Sequence, residues 1–119
     1  MYRWRYLVLY KVWNSHNLSR DHKPCVKEEA DRIREKGGRI QPYTDENYEF
    51  MGPPRVWLKE QDIPGLAMTR SFGDEVASSV GVNALPEITE WKLTPEDKFI
   101  ILASDGVWEF IESEEVLLY

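Results

Sequence analysis

The sequence predicts an α+β fold, in which short strands and a few helices share a modest core. Three observations carry this prediction: an apolar run at residues 6–10, a helical apolar stripe at residues 26–36, and two apolar segments on either side of a proline turn at residues 89–104. The 119 residues are 42% hydrophobic and 30% charged, which is typical of a globular protein rather than a disordered one. This length is sufficient for one domain.

The first expected element is a strand at Tyr6–Tyr10, where aromatic and aliphatic residues follow one another. The next stretch, His16–Pro24, is polar and ends in proline, so it predicts a loop.

A helix is expected over Val26–Lys36. Its apolar positions recur at helical spacing and are Val26, Ala30 and Ile33. Pro24 lies near the start, and Gly37 supplies the stop. Glu28 and Arg32 are spaced to form an ion pair on the helix surface.

Three prolines and one glycine in Gln41–Pro54 predict a long loop, and Arg55–Leu58 predicts a short strand. Apolar and charged residues alternate over Thr89–Leu93, as in a strand with one buried face. Thr94–Lys98 then has the composition of a turn, with proline at its first corner. Phe99–Ser104 follows as a fully buried strand, so we expect a β-hairpin over residues 89–104.

The last expected element is a helix that Ser113 caps and that Glu114 and Glu115 begin. Only about two turns follow before Tyr119, and so short a helix is marginal. We therefore expect a domain that is cut here rather than finished. The tryptophans expected in the core are Trp57, Trp91 and Trp108.

Net charge, the length of the apolar runs and the cysteine content indicate the partners and the cellular compartment to expect. The net charge of −6 argues against a nucleic-acid partner or an anionic membrane surface. No apolar run approaches the roughly 20 residues that span a bilayer. The lone Cys25 cannot form an internal disulfide, so we expect an intracellular protein, cytoplasmic or nuclear. If it folds, a monomer is expected.

Several chemistries find no support in the residues. A cysteine-based phosphatase needs an arginine six residues after its nucleophile, and Asp31 stands there after Cys25, which we interpret as an ordinary small apolar residue. His16 and His22 with one cysteine do not complete a structural zinc site. No nucleophile elbow, phosphate-binding loop or dinucleotide motif is present. We identify no catalytic side chain and no residue that binds an organic cofactor.

Two aspartates are candidates for metal binding. Asp74 follows a glycine, Asp105 precedes Gly106, and each lies at the edge of an apolar segment. Carboxylates at strand ends suit Mg²⁺ or Mn²⁺. Aspartate and glycine are also the commonest turn residues, so from the residues alone a turn is the more frequent explanation and a metal site stays open as the other.

Six segments, taken in order, resemble the protein phosphatase 2C family of metal-dependent serine/threonine phosphatases. They are LSRDHKP (18–24), EADRIREKGGRI (29–40), RVW (55–57), LAMTRSFGD (66–74), PEI (86–88) and FIILASDGVWEFI (99–111). The resemblance covers about residues 18–119.

The resemblance implies a four-layer αββα fold, an antiparallel β-sandwich flanked by helices, of which this chain holds a part. It implies a partial phosphatase 2C-like domain at residues 18–119, with the flap region at about residues 24–65. Residues 1–17 are then an atypical N-terminal segment with one strand.

The resemblance also implies an activity: hydrolysis of phosphoserine and phosphothreonine in a phosphoprotein substrate. In the family, two ions, Mn²⁺ or Mg²⁺, activate a water that attacks phosphorus. Asp105 matches a metal-binding aspartate of the family, and the strand before it should hold it toward the metals while Gly106 lets the chain turn away. Asp74 also matches a family position and is interpreted as structural or flap-positioning rather than as a ligand, and Arg70 as helping to hold its segment.

The family's D-G-H-G-G motif and its phosphate-binding arginine have no match here. We therefore expect a truncated domain that is inactive alone, and that is unstable or prone to aggregate because strands and core faces are exposed. The alternatives are a non-catalytic, phosphatase-derived protein-binding module and an unrelated small α+β binding protein.

Overall fold

The computed structural model describes residues 4–11, 14–108 and 110–118. Their elements in chain order are β1 (Trp4–Lys11), β2 (Asn14–Asn17), α1 (Lys27–Glu35), β3 (Arg39–Thr44), β4 (Phe50–Trp57), β5 (Pro64–Leu66), α2 (Glu75–Ser78), β6 (Asp97–Ser104), α3 (Asp105–Trp108) and a 3₁₀ turn (Glu115–Leu118). The α+β class is therefore confirmed. No helix in the described ranges has the length and apolar character needed to cross a membrane.

The chain divides into two compact units, one formed by residues 1–21 with 87–119 and the other by residues 22–86. In the first unit the described strands form an antiparallel sheet in the order β2-β1-β6. The strand predicted near residue 6 is β1, and it pairs with β6 so that Val8 lies opposite Ile101. The segment 1–17, for which one strand was predicted, contains both β1 and β2, so the predicted loop begins two residues too early at His16.

The predicted hairpin over residues 89–104 is wrong. β6 is a strand, but its partner is β1, and residues 84–94 form no strand. Side-chain contacts hold this segment instead: Thr89 Oγ1 donates to the Leu18 carbonyl at 3.0 Å, and the rings of Trp91 and His16 are 4.4 Å apart. Trp91 is exposed rather than part of the core. The turn after it is confirmed, since the Asp97 amide donates to the Thr94 carbonyl at 3.0 Å.

β6 is also not fully buried. Ile101 and Ala103 lie on the face that Trp108 covers, whereas Ile100 and Leu102 on the other face are 45% and 61% exposed. The cause is packing: within the part of the chain that the structure describes, the core contacts of β6 are on the Ile101 and Ala103 face, and Ile100 and Leu102 lie on the face that stays exposed. Its continuous apolar sequence does not reveal that only one face is covered.

The second unit packs α1 and α2 around the sheet β3-β4-β5. Its buried core consists of Ile33, Val56, Ala77, Val80 and Val82. The predicted helix is α1, and it ends as expected where Gly37 takes a positive φ of 83°. The next residue, Gly38, has no room for a side chain, because a Cβ there would lie 2.6 Å from Cγ2 of Ile33.

The long loop predicted at Gln41–Pro54 is wrong, because these residues build most of the hairpin β3–β4. Its prolines lie where the ladder of hydrogen bonds is interrupted. Gln41 pairs with Arg55 and Tyr43 with Met51, so the single residue 42 of β3 faces residues 52–54 of β4 across a bulge. A proline removes a ladder hydrogen bond, and a bulge is one place where a sheet tolerates that loss. The strand predicted at residues 55–58 is the end of β4.

The helical signal at the end of the chain corresponds to the 3₁₀ turn Glu115–Leu118. Ser113 is not its cap, since its hydroxyl contacts Oδ1 of Asn17 at 3.3 Å. The carboxylate of Glu115 instead accepts from the Glu112 amide at 2.9 Å.

Candidate functional site

Asp105 lies where the sequence predicts, at the end of an apolar strand. β6 ends at Ser104, which is paired with Trp4 of β1, and Asp105 is the first residue of α3. Its side chain is half-buried. A carboxylate at the end of a strand has a fixed backbone behind it, which is what a metal ligand needs.

Trp108 fixes the path of the chain after Asp105. It is buried, as predicted, and its indole Nε1 donates to the Ala103 carbonyl at 3.0 Å. Ile101 and Val116 pack against the same ring. The helical turn α3 is therefore bonded back onto β6, with the half-buried Asp105 between them.

The expected role of Gly106 is wrong. It lies inside α3 without a positive φ, and a Cβ at this position would meet only Oγ of Ser104 at 3.6 Å, which is an ordinary contact. The change of direction comes from the helix that starts at Asp105, so the backbone does not require glycine here.

The described residues do not fit a metal centre by themselves. Within residues 4–11, 14–108 and 110–118, no three or more His, Cys, Asp or Glu side chains are grouped so that they could hold an ion. One carboxylate supplies one or two oxygens, whereas each divalent ion takes about six ligands. The assignment of Asp105 to a metal stays a prediction.

The second unit contains a buried carboxylate that the sequence analysis did not single out. Glu29 of α1 is 1% exposed and faces two arginines. Arg32 binds it with both terminal nitrogens, at 3.0 and 2.7 Å, and Nη2 of Arg70 lies 2.6 Å from it. The Thr69 hydroxyl donates a further hydrogen bond. We call these four residues the Glu29 cluster.

The Glu29 cluster connects three parts of its unit through backbone carbonyls. Arg32 also donates to the carbonyls of Thr69 and Gly81, both at 2.9 Å, and Arg70 donates to that of Leu85 at 2.9 Å. Because every donor belongs to an arginine that the Glu29 carboxylate holds, the cluster positions the 67–71 segment against α1. The predicted role of Arg70 in holding this segment agrees with these contacts.

The sequence contains a signal for the burial of Glu29, but the ion pair that it predicts for Arg32 is with the wrong glutamate. Glu29 lies three residues after Val26 and four before Ile33, so the helical spacing places it on the apolar face. The expected pairing of Arg32 with Glu28 is replaced by the bidentate bond to Glu29. A buried charge is stable only when it is paired. The second arginine that binds Glu29, Arg70, lies 41 residues away along the chain, so local spacing does not reveal it.

Asp74 has a capping role. It is the N-cap of α2, and its Oδ1 accepts from the Ala77 amide at 2.9 Å. This contact explains the aspartate without a metal and agrees with its structural interpretation. Cys25 is exposed, so the interpretation of an ordinary apolar residue does not describe its surroundings.

Comparisons with known proteins agree with the resemblance of the motifs. Residues 6–117 match the family described as protein phosphatase 2C. The "probable protein phosphatase 2C 61" of Arabidopsis thaliana is 44% identical over 99 residues, which are 83% of this chain and 29% of that protein. The "probable protein phosphatase 2C 12" of Oryza sativa subsp. japonica is 47% identical over 100 residues, 84% of this chain and 25% of that protein.

The fold also agrees. The serine-threonine phosphatase 2C from Toxoplasma gondii superposes with a TM-score of 0.78 at 24% identity, over 97% of this chain and 39% of that one. A sex-determining protein of C. elegans gives a TM-score of 0.75 at 22% identity, over 98% of this chain and 25% of that one. The chain thus spans well under half the length of these proteins, and on the match of residues 6–117 it belongs to the protein phosphatase 2C family.

Proposed function

We propose that this chain carries part of a metal-dependent protein serine/threonine phosphatase domain, which releases phosphate from phosphoserine and phosphothreonine in proteins. The observation that carries the proposal is the family match over residues 6–117. The ions we propose are Mn²⁺ or Mg²⁺, whose preference for oxygen ligands suits a carboxylate such as that of Asp105.

In this proposal the two units have different tasks. β6 and α3 present Asp105 as one metal ligand, and Trp108 ties the helical turn that begins with Asp105 back to β6. The other ligands must come from outside the described residues, because those residues form no ligand cluster. The Glu29 cluster does not contact phosphate in this scheme and keeps the second unit ordered.

The isolated chain should therefore bind Mn²⁺ weakly and release no phosphate. Titration calorimetry with MnCl₂ and a phosphothreonine-peptide assay test this on the same sample. Clear Mn²⁺-dependent release of phosphate from the chain would contradict the expectation.

A chimera tests whether Asp105 serves the activity. In the Arabidopsis relative, the aligned segment is replaced by the corresponding residues of this chain, which are 44% identical to it. We expect Mn²⁺-dependent phosphatase activity, and a fall of about 100-fold or more in the D105N form, since ligand loss usually costs a metal enzyme most of its activity. E90Q, which changes an exposed carboxylate of the same unit, should have no effect. A folded chimera in which D105N retains full activity would contradict the role of Asp105.

A second candidate function is a non-catalytic binding module derived from a phosphatase. It is favoured by the lack of a ligand cluster in the described residues and by several exposed apolar side chains on β3–β4. The chimera separates the two: a folded but inactive chimera favours the binding module.

A further inference from the structure

The end of the β3–β4 hairpin has a surface that the catalytic proposal does not explain. Its large apolar side chains are solvent-exposed: Tyr43 by 56%, Tyr48 by 89%, Phe50 by 69% and Met51 by 55%. Single exposed apolar residues are common. Here Tyr43 and Met51 are cross-strand partners on one face of the hairpin, Phe50 pairs with Thr44 and lies on the other face, and Tyr48 lies in the turn between the strands. Exposed apolar side chains thus surround the end of the hairpin, as they do at interaction sites. We call residues 43–51 the hairpin tip.

Hydrogen bonds within the turn order the backbone of the hairpin tip. Oδ1 of Asp45 accepts hydrogen bonds from the Asn47 amide at 2.9 Å and the Glu49 amide at 2.8 Å. The Asp45 amide in turn donates to the Glu49 carbonyl at 3.0 Å. These bonds hold Tyr48 at a positive φ of 63°, which is unfavourable for a bulky residue. The backbone thus places the side chain of Tyr48 in solvent, at a conformational cost that glycine would avoid.

Charge restricts what could cover the tip. Residues 40–54 include Asp45, Glu46 and Glu49 and contain no lysine or arginine. An anionic membrane, a nucleic acid or a phosphorylated segment would be repelled. A second copy of the tip would bring six carboxylates together, which disfavours self-association here. Of the charged classes of partner only a cationic one remains, and it is the class that the three carboxylates complement.

We propose that the hairpin tip is a docking site for a basic segment of a partner protein, one in which lysine or arginine alternates with apolar side chains. The apolar side chains of that segment cover the exposed rings, and its cations face Glu46 and Glu49. Steering by opposite charge and burial of aromatic anchors are the usual sources of rate and affinity in such contacts. This inference is independent of the proposed phosphatase activity.

Three synthetic peptides of equal length test the proposal by fluorescence anisotropy with the full chain: lysine with leucine and tryptophan, lysine with serine, and glutamate with leucine and tryptophan. We expect the first to bind most tightly, the second weakly and the third not at all. Binding of the first should weaken as salt rises. Equal binding of all three, or no saturable binding of the first, would overturn the proposal.

Two variants show whether the hairpin tip is responsible. F50S should weaken the first peptide about tenfold, because Phe50 is exposed and makes its contribution only in the complex. E46Q/E49Q should weaken both cationic peptides, whereas the control E60Q/E75Q, with the same charge change at exposed sites of the same unit, should not. Identical losses in both double variants would mean that net charge alone drives binding, which overturns the proposal.

Y48G separates binding from folding. Glycine accepts the positive φ without strain, so the variant should be at least as stable as the native chain. The aromatic ring is lost, so the first peptide should bind about tenfold more weakly. A Y48G chain that is equally stable and binds with unchanged affinity would contradict a role for this ring.

Discussion

Glu29 is a charged side chain that folding removes almost completely from water. Burial alone would raise its pKa, but the hydrogen bonds from Arg32, Arg70 and Thr69 outweigh burial and hold the pKa of Glu29 far below its ordinary range. The carboxylate is therefore ionised in the folded chain at neutral pH. Its charge is matched by two arginines that also bind three backbone carbonyls.

The depressed pKa predicts how stability depends on pH. The stabilisation by ionised Glu29 is fully present above the pKa of an unfolded glutamate, about 4.3, and is lost progressively as the pH falls toward the folded-state value. E29Q leaves two arginines facing a neutral amide, so we expect it to lower the free energy of unfolding by about 3 kcal/mol near pH 7. That deficit should shrink below about pH 4.5. Urea unfolding followed by tryptophan fluorescence at several pH values measures both.

E35Q is the matched control, because Glu35 is an exposed carboxylate at the end of the same helix. It should change the free energy of unfolding by less than about 0.5 kcal/mol. A deficit in E29Q that stays constant from pH 7 to pH 3 would show that lost packing, rather than lost charge, explains the variant.

At the scale of elements, α1 could be predicted and the hairpin β3–β4 could not. The apolar spacing of α1 and the glycine after it are local signals, and the structure places the helix within one residue of the prediction at each end. The prolines of the hairpin are also local signals, and they normally interrupt strands. What makes them compatible with a sheet is the bulge between Gln41 and Tyr43, which depends on a partner strand that no local pattern identifies.

The pairing of β5 with β4 depends on a close approach between Gly65 and the ring of Trp57. A Cβ on Gly65 would lie 2.9 Å from two ring atoms, and Gly65 has a positive φ of 68°. The ring cannot easily move, since its Nε1 donates to the Gln41 carbonyl at 2.9 Å and the Arg39 guanidinium lies 5.7 Å from its centroid. G65A should therefore lower the free energy of unfolding by about 2–4 kcal/mol, the sum of backbone strain and overpacking.

G52A separates these two causes. Gly52 has a positive φ of 72°, but a Cβ there would meet nothing within 4 Å. We expect a loss of about 1 kcal/mol, due to backbone strain alone. Equal losses for G65A and G52A in chemical denaturation would show that the contact with Trp57 contributes nothing.

At the scale of the whole molecule, the sequence predicted the class of fold and the place of Asp105, but not which strands pair. β1 and β6 were both predicted as strands, yet their pairing joins residues such as Val8 and Ile101 that are far apart in the chain. The alternation at residues 89–93 suggested a nearer partner, and nearer partners are the usual choice. Separation along the chain also explains why the Glu29 cluster could not be predicted, since Arg70 lies 41 residues from Glu29 and no helical spacing relates the two.

The exposed face of β6 makes self-association the expected behaviour of the chain in solution. Ile100 and Leu102, which lie on this face, are 45% and 61% exposed on an edge strand of the described sheet, and such strands promote association. We expect the weight-average mass to rise with concentration from on the order of micromolar upward, as measured by sedimentation velocity. L102K should suppress the rise, because a lysine on the exposed face opposes close packing of a second strand. The control Q61K adds the same charge at an exposed loop position and should leave the rise unchanged. We therefore expect the L102K variant, rather than the native chain, to be the monomer that the sequence predicts. A native chain that stays monomeric at every concentration and melts in one sharp transition would contradict this prediction.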